Sequence, residues 1–369
     1  MFTADYAARL QRFSHQLSVL GIDAAIISPG PDLRYLSGYD AIPLERLTAL
    51  IIQPAKSPIV VSPLLEKPAA LASPIGSMGL DVVTWTETEN PFSVVHSIIG
   101  DVQTVCVDGR MWADKALKLQ REFTNSVMVS ANQAVAALRQ VKDAQEVQAL
   151  REAGDAIDVV HSRVHEFLKV GRTEAEVGRD IAAAIIESGH ATADFVIVAS
   201  GPNSASPHHE VSDRVICKGD AVVVDIGGTM PNGYCSDSTR TYFMGSPSDR
   251  YTEMYAALLE SQLTSTRHVR PGVSCESVDK AARDVLNAAG IGEYFIHRVG
   301  HGIGLETHEE PYMVEGNTLA LEPGFAFSIE PGFYVEGWAG ARIEDIVVCG
   351  EESAIVLNNR PRELAILEA

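Results

Sequence analysis

The second half of the chain repeats one pattern of glycines and acids, and this repeat constrains the fold more than any other feature. In each copy a glycine precedes an acid by six residues, and a second glycine precedes a second acid by four. The acids are Asp225 and Asp237 in the first copy and Glu330 and Glu344 in the second. Upstream, four further residues recur at one constant offset, with Gly171, Thr173, Val177 and Gly189 matching Gly272, Ser274, Val278 and Gly290. The pattern predicts a duplicated αβ unit whose halves meet around a pseudo-two-fold axis, although two unrelated αβ segments with paired buried acids would also produce it.

The four acids lie in or beside short apolar runs that are typical of β-strands. Asp225 ends the run 221–225, and Glu330 ends the run 325–330. An ionised carboxylate inside a β core is costly unless it is paired or binds a cation. Four such acids together with one histidine, His301, suggest two divalent metals that share ligands. We therefore predict that each half contributes two carboxylates to one central site.

The composition restricts the classes of function. A length of 369 residues predicts two domains, and the apolar runs are far shorter than the roughly 18 to 20 residues that span a bilayer. The N-terminal residues have neither a basic head nor an apolar core, so no signal peptide is expected. Five scattered cysteines without a CxxC motif are typical of free thiols in a reducing cytoplasm. The net charge of −20 argues against nucleic-acid binding, which needs a basic face.

The order of sequence patterns divides the chain into two predicted domains. Residues 1–125 alternate helical and strand patterns, which predicts a small α/β domain without a convincing catalytic cluster. A linker is expected at 126–132, and a larger domain at 132–369. The larger domain is predicted to begin with an amphipathic helix over 134–169, broken near Gly154, and to contain a strand at 295–299.

A histidine-rich motif lies between the two pairs of acids, at residues 297–311, His-Arg-Val-Gly-His-Gly-Ile-Gly-Leu-Glu-Thr-His-Glu-Glu-Pro. It resembles the histidine-rich signature of the prolidase/aminopeptidase P family, the pita-bread metallopeptidases that also include creatinase. The segments 328–334 and 340–345 resemble its two glutamate motifs, 225–240 resembles its two-aspartate motif, and 200–208 resembles the segment that carries its first active-site histidine. The motifs follow the family order. The resemblance implies an α+β fold, in which a C-terminal pita-bread domain of duplicated αβ halves follows a smaller creatinase-like α/β domain, and it implies a homodimer.

The resemblance also implies roles for individual residues. Five would hold two divalent cations, and these are Asp225, Asp237, His301, Glu330 and Glu344. Asp237 and Glu344 would bridge both cations, and Glu330 would also serve as general base or proton shuttle. His208 and His308 would stabilise the oxyanion and assist the leaving nitrogen. Arg342 would fix a ligand carboxylate or the substrate, or serve as a structural ion-pair partner.

The oxygen-rich ligand set has a single imidazole and therefore favours a hard cation. We expect Mn²⁺, with Co²⁺, Zn²⁺ and Fe²⁺ left open. The implied activity is hydrolysis of Xaa-Pro bonds in short proline-containing peptides, by a Xaa-Pro dipeptidase, that is, a prolidase. The alternatives are a Xaa-Pro aminopeptidase and a metal-dependent amidohydrolase for small molecules. A non-catalytic binding module on the same fold is disfavoured because all five ligands are present.

The sequence departs from the family pattern at two places. Asp225 and Asp237 are separated by one residue more than is usual, which suggests a longer hairpin turn at 229–232. Tyr312 follows Pro311 where some prolidases carry an arginine proposed to hold the proline carboxylate. The second departure weakens the case for a strict dipeptidase, and leaves Tyr312 as either a packing or a substrate-binding residue.

Overall fold

The structure is a computed structural model that describes residues 4–368, and it divides the chain into two compact units with a boundary between Arg139 and Gln140. Residues 1–3 and 369 lie outside the described residues; they include part of the segment used to judge a signal peptide and the outer ends of both predicted domains. Within the interval 126–132, where a linker was expected, Val127–Ser130 forms a strand of the first unit's sheet. The unit boundary therefore lies later than the sequence pattern indicated.

The first unit is built around one six-stranded mixed sheet. Its helices are α1 (Tyr6–Val19), α2 (Pro31–Ser37), α3 (Lys67–Ala72), α4 (Pro74–Ser77), α5 (Pro91–Ile99), α6 (Ala113–Glu122) and α7 (Asn132–Arg139). Its strands are β1 (Ala24–Ile27), β2 (Ala49–Ile52), β3 (Ile59–Pro63), β4 (Asp81–Trp85), β5 (Thr104–Val107) and β6 (Val127–Ser130). The strand order is β4-β3-β2-β1-β5-β6, and β1 is buried throughout. Burial of both faces of a central strand explains its unbroken apolar run.

The second unit contains two helix pairs, each followed by strands. Its helices are α8 (Ala144–Phe167), α9 (Glu174–Glu187), α10 (Asp249–His268) and α11 (Cys275–Ala288). Its strands are β7 (Thr192–Ser200), β8 (Ala221–Thr229), β9 (Cys235–Met244), β10 (Gly300–Gly302), β11 (Glu309–Met313), β12 (Ala326–Ile329), β13 (Gly332–Val335), β14 (Ala339–Arg342), β15 (Asp345–Cys349), β16 (Ala354–Val356) and β17 (Ala365–Leu367). They form sheets in the orders β17-β9-β8-β7, β11-β10-β12-β15-β16 and β13-β14.

The helix predicted over 134–169 is interrupted at a different place from the one expected. It is two helices, α7 and α8, because Asp143 caps α8 in a reciprocal capping box with Glu146. Gly154 lies inside α8, and a Cβ there would be 3.0 Å from the carbonyl oxygen of Leu357. The glycine therefore permits close packing of the helix and does not break it.

The duplicated pattern corresponds to equivalent local structure in the two halves of the second unit. Thr173 and Ser274 are the N-cap residues of α9 and α11, and each forms an isolated bridge, to Val215 and Ala320 respectively. The glycines two residues before these caps have positive φ angles of 90° and 86°. The prediction of two αβ halves, and with it the α+β pita-bread class, is confirmed.

Each half packs its helix pair against its own strands. In the first half Ile157 of α8 and Ile181 of α9 cover Val224 of β8, and all three are 0% exposed. In the second half Leu258 of α10 and α11 residues cover Phe327 of β12. Burying one such side chain contributes about 1.5–3 kcal/mol. The strand segments that carry the acids are thus fixed from behind by a rigid apolar layer.

The prediction of a strand at 295–299 was wrong, since these residues are irregular and β10 begins only at Gly300. Phe295 and Val299 are buried, which explains the strand-like apolar pattern. The carbonyl groups of Phe295 and His297 accept hydrogen bonds from the Arg283 side chain of α11 rather than from a neighbouring strand.

Candidate metal centre

The two aspartates of the first half lie on one face of adjacent antiparallel strands. Asp225 is in β8, and Asp237 in β9 is opposite Gly227, two residues further along β8. Side chains at alternate positions share a face, so both carboxylates point the same way. The longer turn closes through a 2.8 Å hydrogen bond from the Met230 amide to the Tyr234 carbonyl, and β8 and β9 pair without a register shift.

The two glutamates and the histidine of the second half lie beside one another in a separate sheet. Glu330 directly follows β12 and Glu344 directly precedes β15, and Ile329 of β12 pairs with Asp345 of β15. The two acids therefore emerge together where the paired strands end. His301 is the middle residue of β10, the neighbour of β12.

The two halves bring these five residues to one cavity. Ligand atoms of Asp237, His301 and Glu344, all buried, lie within 4.8 Å of one another. The Nε2 atom of His301 is 3.5 Å from Oδ2 of Asp237 and 3.2 Å from Oε1 of Glu330. Asp225 lines the same cavity. One imidazole and four carboxylates converge, two acids from each half.

The donor atoms are arranged as a cation would require. The Nδ1 atom of His301 is 3.1 Å from the Gly302 carbonyl, which accepts its proton in the neutral ring, so Nε2 presents a lone pair to the carboxylates. Oδ1 of Asp225 and Oε1 of Glu344 are buried without a hydrogen-bond partner. Lone pairs that face one another in a buried site are costly unless a positive charge lies between them.

The carboxylates carry more negative charge than the surrounding residues balance. Burial, together with the neighbouring Glu344 and Asp225, raises the pKa of Asp237 well above its usual value. Burial and the charges of Glu330 and Asp225 raise the pKa of Glu344 in the same way. Burial also disfavours the charged form of Glu330, but in the protonated form of the His301 ring its hydrogen bond and charge outweigh burial and lower this pKa to about 2. Divalent cations would remove the repulsion, so the donor set fits the metals that the family resemblance implies.

Arg342 is 2% exposed, and its guanidinium donates hydrogen bonds to other protein groups. It donates to Oδ2 of Asp225, to the hydroxyl groups of Thr239 and Tyr334 at 3.1 and 2.8 Å, and to the Pro207 carbonyl at 3.2 Å. Of the roles left open by the sequence, these contacts favour orientation of a ligand carboxylate over direct substrate contact.

Three further histidines line the cavity, which has a volume of about 1110 Å³, and these are His208, His297 and His308. The ring of His308 packs edge-to-face on that of His301, with centroids 4.1 Å apart. Burial and the neighbouring His301 lower the pKa of His308 to about 4, so this imidazole is neutral at pH 7. His208 lies next to Pro207, whose carbonyl Arg342 holds.

One buried carboxylate ties down the segment that carries His208. Glu174, the first residue of α9, is 0% exposed. It accepts hydrogen bonds from the amide and hydroxyl of Ser200 at 2.8 and 2.6 Å, from Asn203 at 3.0 Å, from His209 at 2.8 Å and from Ser212 at 2.5 Å. Burial alone would raise the pKa of Glu174, but these hydrogen bonds outweigh it and lower the pKa. The sequence did not reveal this residue, because its partners are distant in the chain.

In the second half an ion pair holds the segment that leads into β10. Asp279 of α11 pairs with Arg283 at 2.9 Å and accepts from the Val299 amide at 2.8 Å. Arg283 in turn donates to the carbonyls of Phe295 and His297 at 3.0 and 2.9 Å. Together they fix the segment that leads into β10 and His301.

Sequence reasoning missed two charged residues that line the cavity, Arg298 and Asp194. The guanidinium of Arg298 lies over the Tyr312 ring, 4.1 Å from its centroid, so Tyr312 packs against an arginine. Arg298 lies inside the histidine-rich signature, and a charged residue within that motif was the sequence feature that could have identified it. Asp194 belongs to no motif, and nothing in the sequence distinguishes it from a surface acid.

Comparison with known proteins extends over both units. A family model described as Metallopeptidase family M24 matches residues 148–351, and one described as Creatinase/Prolidase N-terminal domain matches residues 9–141. A Mycobacterium tuberculosis protein named "Probable dipeptidase PepE" is 49% identical over 364 residues, which are 98% of this chain and 96% of the relative. The Xaa-Pro dipeptidase of Lactobacillus helveticus is 34% identical over 94% of this chain and 95% of its own length.

Solved structures agree with these matches. The dipeptidase PepE of Mycobacterium ulcerans superposes with a TM-score of 0.96 at 48% identity, covering 99% of this chain and 98% of the other. A prolidase from Thermococcus sibiricus gives a TM-score of 0.92 at 36% identity, covering 99% and 100%. No helix among residues 4–368 is long and apolar enough to cross a membrane. The motif resemblance is thus confirmed: the chain belongs to metallopeptidase family M24, with a creatinase/prolidase N-terminal domain, and is a peptidase.

Proposed function

We propose that this peptidase is a Xaa-Pro dipeptidase whose activity depends on two divalent cations. The observation that carries the proposal is the convergence of four carboxylates and one imidazole at one cavity, with buried oxygen atoms of Asp225 and Glu344 that have no hydrogen-bond partner. The cations would be held by Asp225, Asp237, His301, Glu330 and Glu344. As the family resemblance implies, Asp237 and Glu344, one from each half, would be shared by the two cations, and Mn²⁺ is the ion that an oxygen-rich set favours.

The chain's own residues would then bind the peptide and move its protons. Bound cations would supply Lewis acidity, which polarises the amide carbonyl and lowers the pKa of a water molecule. Glu330 lines the cavity with Oε1 3.2 Å from Nε2 of His301, and as the family resemblance implies it would take a proton at a carboxylate oxygen. His308 is neutral at pH 7 and can donate a hydrogen bond to the oxyanion, with His208 at the same cavity.

Arg298 supports a dipeptidase over an aminopeptidase. A dipeptide presents a free carboxylate directly after the scissile bond, and a guanidinium is suited to bind it through two parallel hydrogen bonds. Arg298 lines the cavity, and its guanidinium lies over the Tyr312 ring. It donates no hydrogen bond to any of residues 4–368. The arginine absent at position 312 thus has a counterpart elsewhere in the cavity.

Substrate hydrolysis by protein stripped of metal and reloaded with Mn²⁺ tests the proposal. We expect metal-dependent cleavage of Ala-Pro, and little cleavage of Ala-Pro-Ala or Ala-Ala. Equal cleavage of the tripeptide would indicate an aminopeptidase instead. Failure to cleave any prolyl peptide with both metals bound would leave a small-molecule amidohydrolase.

Arg298→Ala separates carboxylate binding from chemistry. The variant should raise KM for Ala-Pro while leaving kcat little changed, whereas the C-terminal amide of Ala-Pro should be insensitive to the substitution. Equal effects on both substrates would assign Arg298 a packing role.

We also propose that the enzyme is a homodimer that acts in the cytoplasm. The family resemblance supports the dimer, and the five free cysteines support a reducing compartment. Light scattering on the purified protein would give the number of subunits, and fractionation of cells that make it would give the compartment.

A further inference from the structure

An extra residue in β7 directs Asp194 into the cavity beside the metal centre. β7 and β8 pair in register as far as Phe195 with Gly227, but the next pair is Ala193 with Gly228, so Asp194 is a bulge without a partner. In a regular strand Asp194 and Phe195 would point to opposite faces. Here both line the cavity, which is the re-aiming of a side chain that bulges near active sites produce.

Asp194 is held in place by neutral groups. The hydroxyl of Thr192 donates to Oδ1 at 2.7 Å, and the hydroxyl of Thr229 donates to Oδ2 at 2.5 Å. Among residues 4–368 it forms no ion pair, and it is exposed at the cavity wall. A fixed carboxylate without a cation is available to a positively charged ligand.

The distance from the metal centre shows which part of a substrate could reach this carboxylate. Ile197 of β7 lies opposite Asp225, and Asp194 precedes Ile197 by three residues. At a rise of about 3.3 Å per residue, Asp194 is roughly 10 Å along the strand from that ligand. The α-amino group is only two bonds from the scissile carbonyl carbon and is too close to the metals. The cation of a lysine or arginine side chain, roughly 6 Å or more from its Cα by standard bond lengths, has the required reach.

The wall between the two points is apolar. Phe195 lies along β7 between Asp194 and Ile197, the residue opposite Asp225, and both apolar side chains line the cavity. Lysine and arginine lay their methylene stems on apolar surface while the charged end stays in water. An apolar wall that ends in a carboxylate therefore matches such a side chain along its whole length.

We propose that Asp194, with Phe195 and Ile197, forms a subsite for a basic N-terminal residue, so that the enzyme prefers Arg-Pro and Lys-Pro. The proposal rests on the Xaa-Pro dipeptidase function above and specifies the first residue of its substrate. Because Asp194 is exposed, the ion pair is worth at most about 1 kcal/mol, which corresponds to a preference of roughly threefold to fivefold. The gain belongs to KM, since the side chain is bound equally in ground and transition states.

Asp194→Asn tests the subsite, because it removes the charge and keeps the shape. We expect kcat/KM for Arg-Pro and Lys-Pro to fall about threefold to fivefold through KM, with Met-Pro unchanged. Asp194→Lys should reverse the preference in favour of Glu-Pro. Asp213→Asn is the matched control, since Asp213 is an exposed acid of the same unit that does not line the cavity.

The outcomes separate the two proposals. If neither Met-Pro nor Arg-Pro is cleaved by the metal-loaded protein, the dipeptidase function itself is wrong. If Met-Pro is cleaved but the ratio of Arg-Pro to Met-Pro is the same in wild type and Asp194→Asn, the subsite is overturned and the function stands. An equal loss on all substrates would show that Asp194 serves only to hold Thr192 and Thr229.

Discussion

The two halves of the second unit place their acids alike but hold the surrounding segments by different chemistry. In the first half Glu174 collects hydrogen bonds from neutral donors and His209, whereas in the second half Asp279 is paired with Arg283. Glu174 is the first residue of α9, and Asp279 lies one turn into the equivalent helix α11. Each half therefore has a buried carboxylate in the first turns of this helix, but its partners differ between the halves.

A second pair of residues shows the same contrast behind Asp237 and Glu344. His161 of α8 is 3.1 Å from the carbonyl of Ser238, the residue after Asp237. Gln262, at the same offset of 101 residues as the upstream repeat, donates at 2.9 Å to Asp345, the residue after Glu344. The first half uses an imidazole, His161, which can be protonated, whereas the second half uses an amide, Gln262, which cannot. The halves should therefore agree in metal binding and differ in stability and in response to pH.

The largest expected effect is the same in both halves. Asp237→Ala and Glu344→Ala should each remove both cations and lower kcat/KM by roughly 10⁴-fold, because several kcal/mol of charge stabilisation are lost. Elemental analysis of metal per chain and hydrolysis of Ala-Pro would measure both consequences. A variant that retained two cations and full activity would show that its acid is not a bridge.

The metal-free form provides the control for folding. Asp237→Asn removes one of four crowded carboxylates, so the stripped variant should melt at a higher temperature than stripped wild type. A lower melting temperature would mean that the carboxylates are stabilised by the protein alone.

The two histidines should affect turnover without affecting metal content. His308→Ala and His208→Ala should each lower kcat by about 10²-fold with both cations retained, because a hydrogen-bond donor to the developing charge is lost. Unchanged turnover of either variant would make that imidazole structural.

Substitution of the two buried carboxylates, Glu174 and Asp279, should lower the free energy of unfolding by different amounts. Glu174→Gln leaves buried donors facing an amide and should cost about 3–5 kcal/mol, whereas Asp279→Asn, whose partner Arg283 is partly exposed, should cost about 1–2 kcal/mol. Urea unfolding of both variants would compare them. Equal costs would show that the two arrangements are interchangeable.

Acid should distinguish His161 from Gln262. Burial and the charge of Arg240 lower the pKa of His161 to about 3, below its unfolded value near 6.5. The unfolded chain therefore binds a proton that the folded chain does not, and stability falls by about 1.4 kcal/mol per pH unit as the pH drops from 6.5 toward 3.

His161→Gln copies the second half into the first and should remove this slope while changing stability little at pH 7. Urea unfolding of the metal-free protein between pH 5 and 7 would reveal it, with Gln262→Asn as a matched change in a group that does not titrate. Parallel pH curves for wild type and His161→Gln would contradict the assignment.

The sequence was sufficient for the fold and for the four acids that converge at the cavity, because these acids recur at fixed distances from glycines that adopt fixed turns. Prediction from the sequence failed where contacts with side chains distant in the chain, rather than the local apolar pattern, determine the backbone conformation. The strand predicted at 295–299 is absent because Arg283 binds carbonyls there, and the helix break at 140–143 depends on the capping box of Asp143. Asp194 was invisible because a bulge leaves no alternation to read.

The central claim is that two acids from each half share one pair of cations. Electron paramagnetic resonance of stripped protein titrated with Mn²⁺ tests it most directly, since ions bridged by carboxylates are magnetically coupled. We predict two Mn²⁺ per chain with the spectrum of an exchange-coupled pair, and loss of that spectrum in Asp237→Ala and Glu344→Ala. One ion per chain, or two ions with uncoupled spectra, would contradict a shared centre.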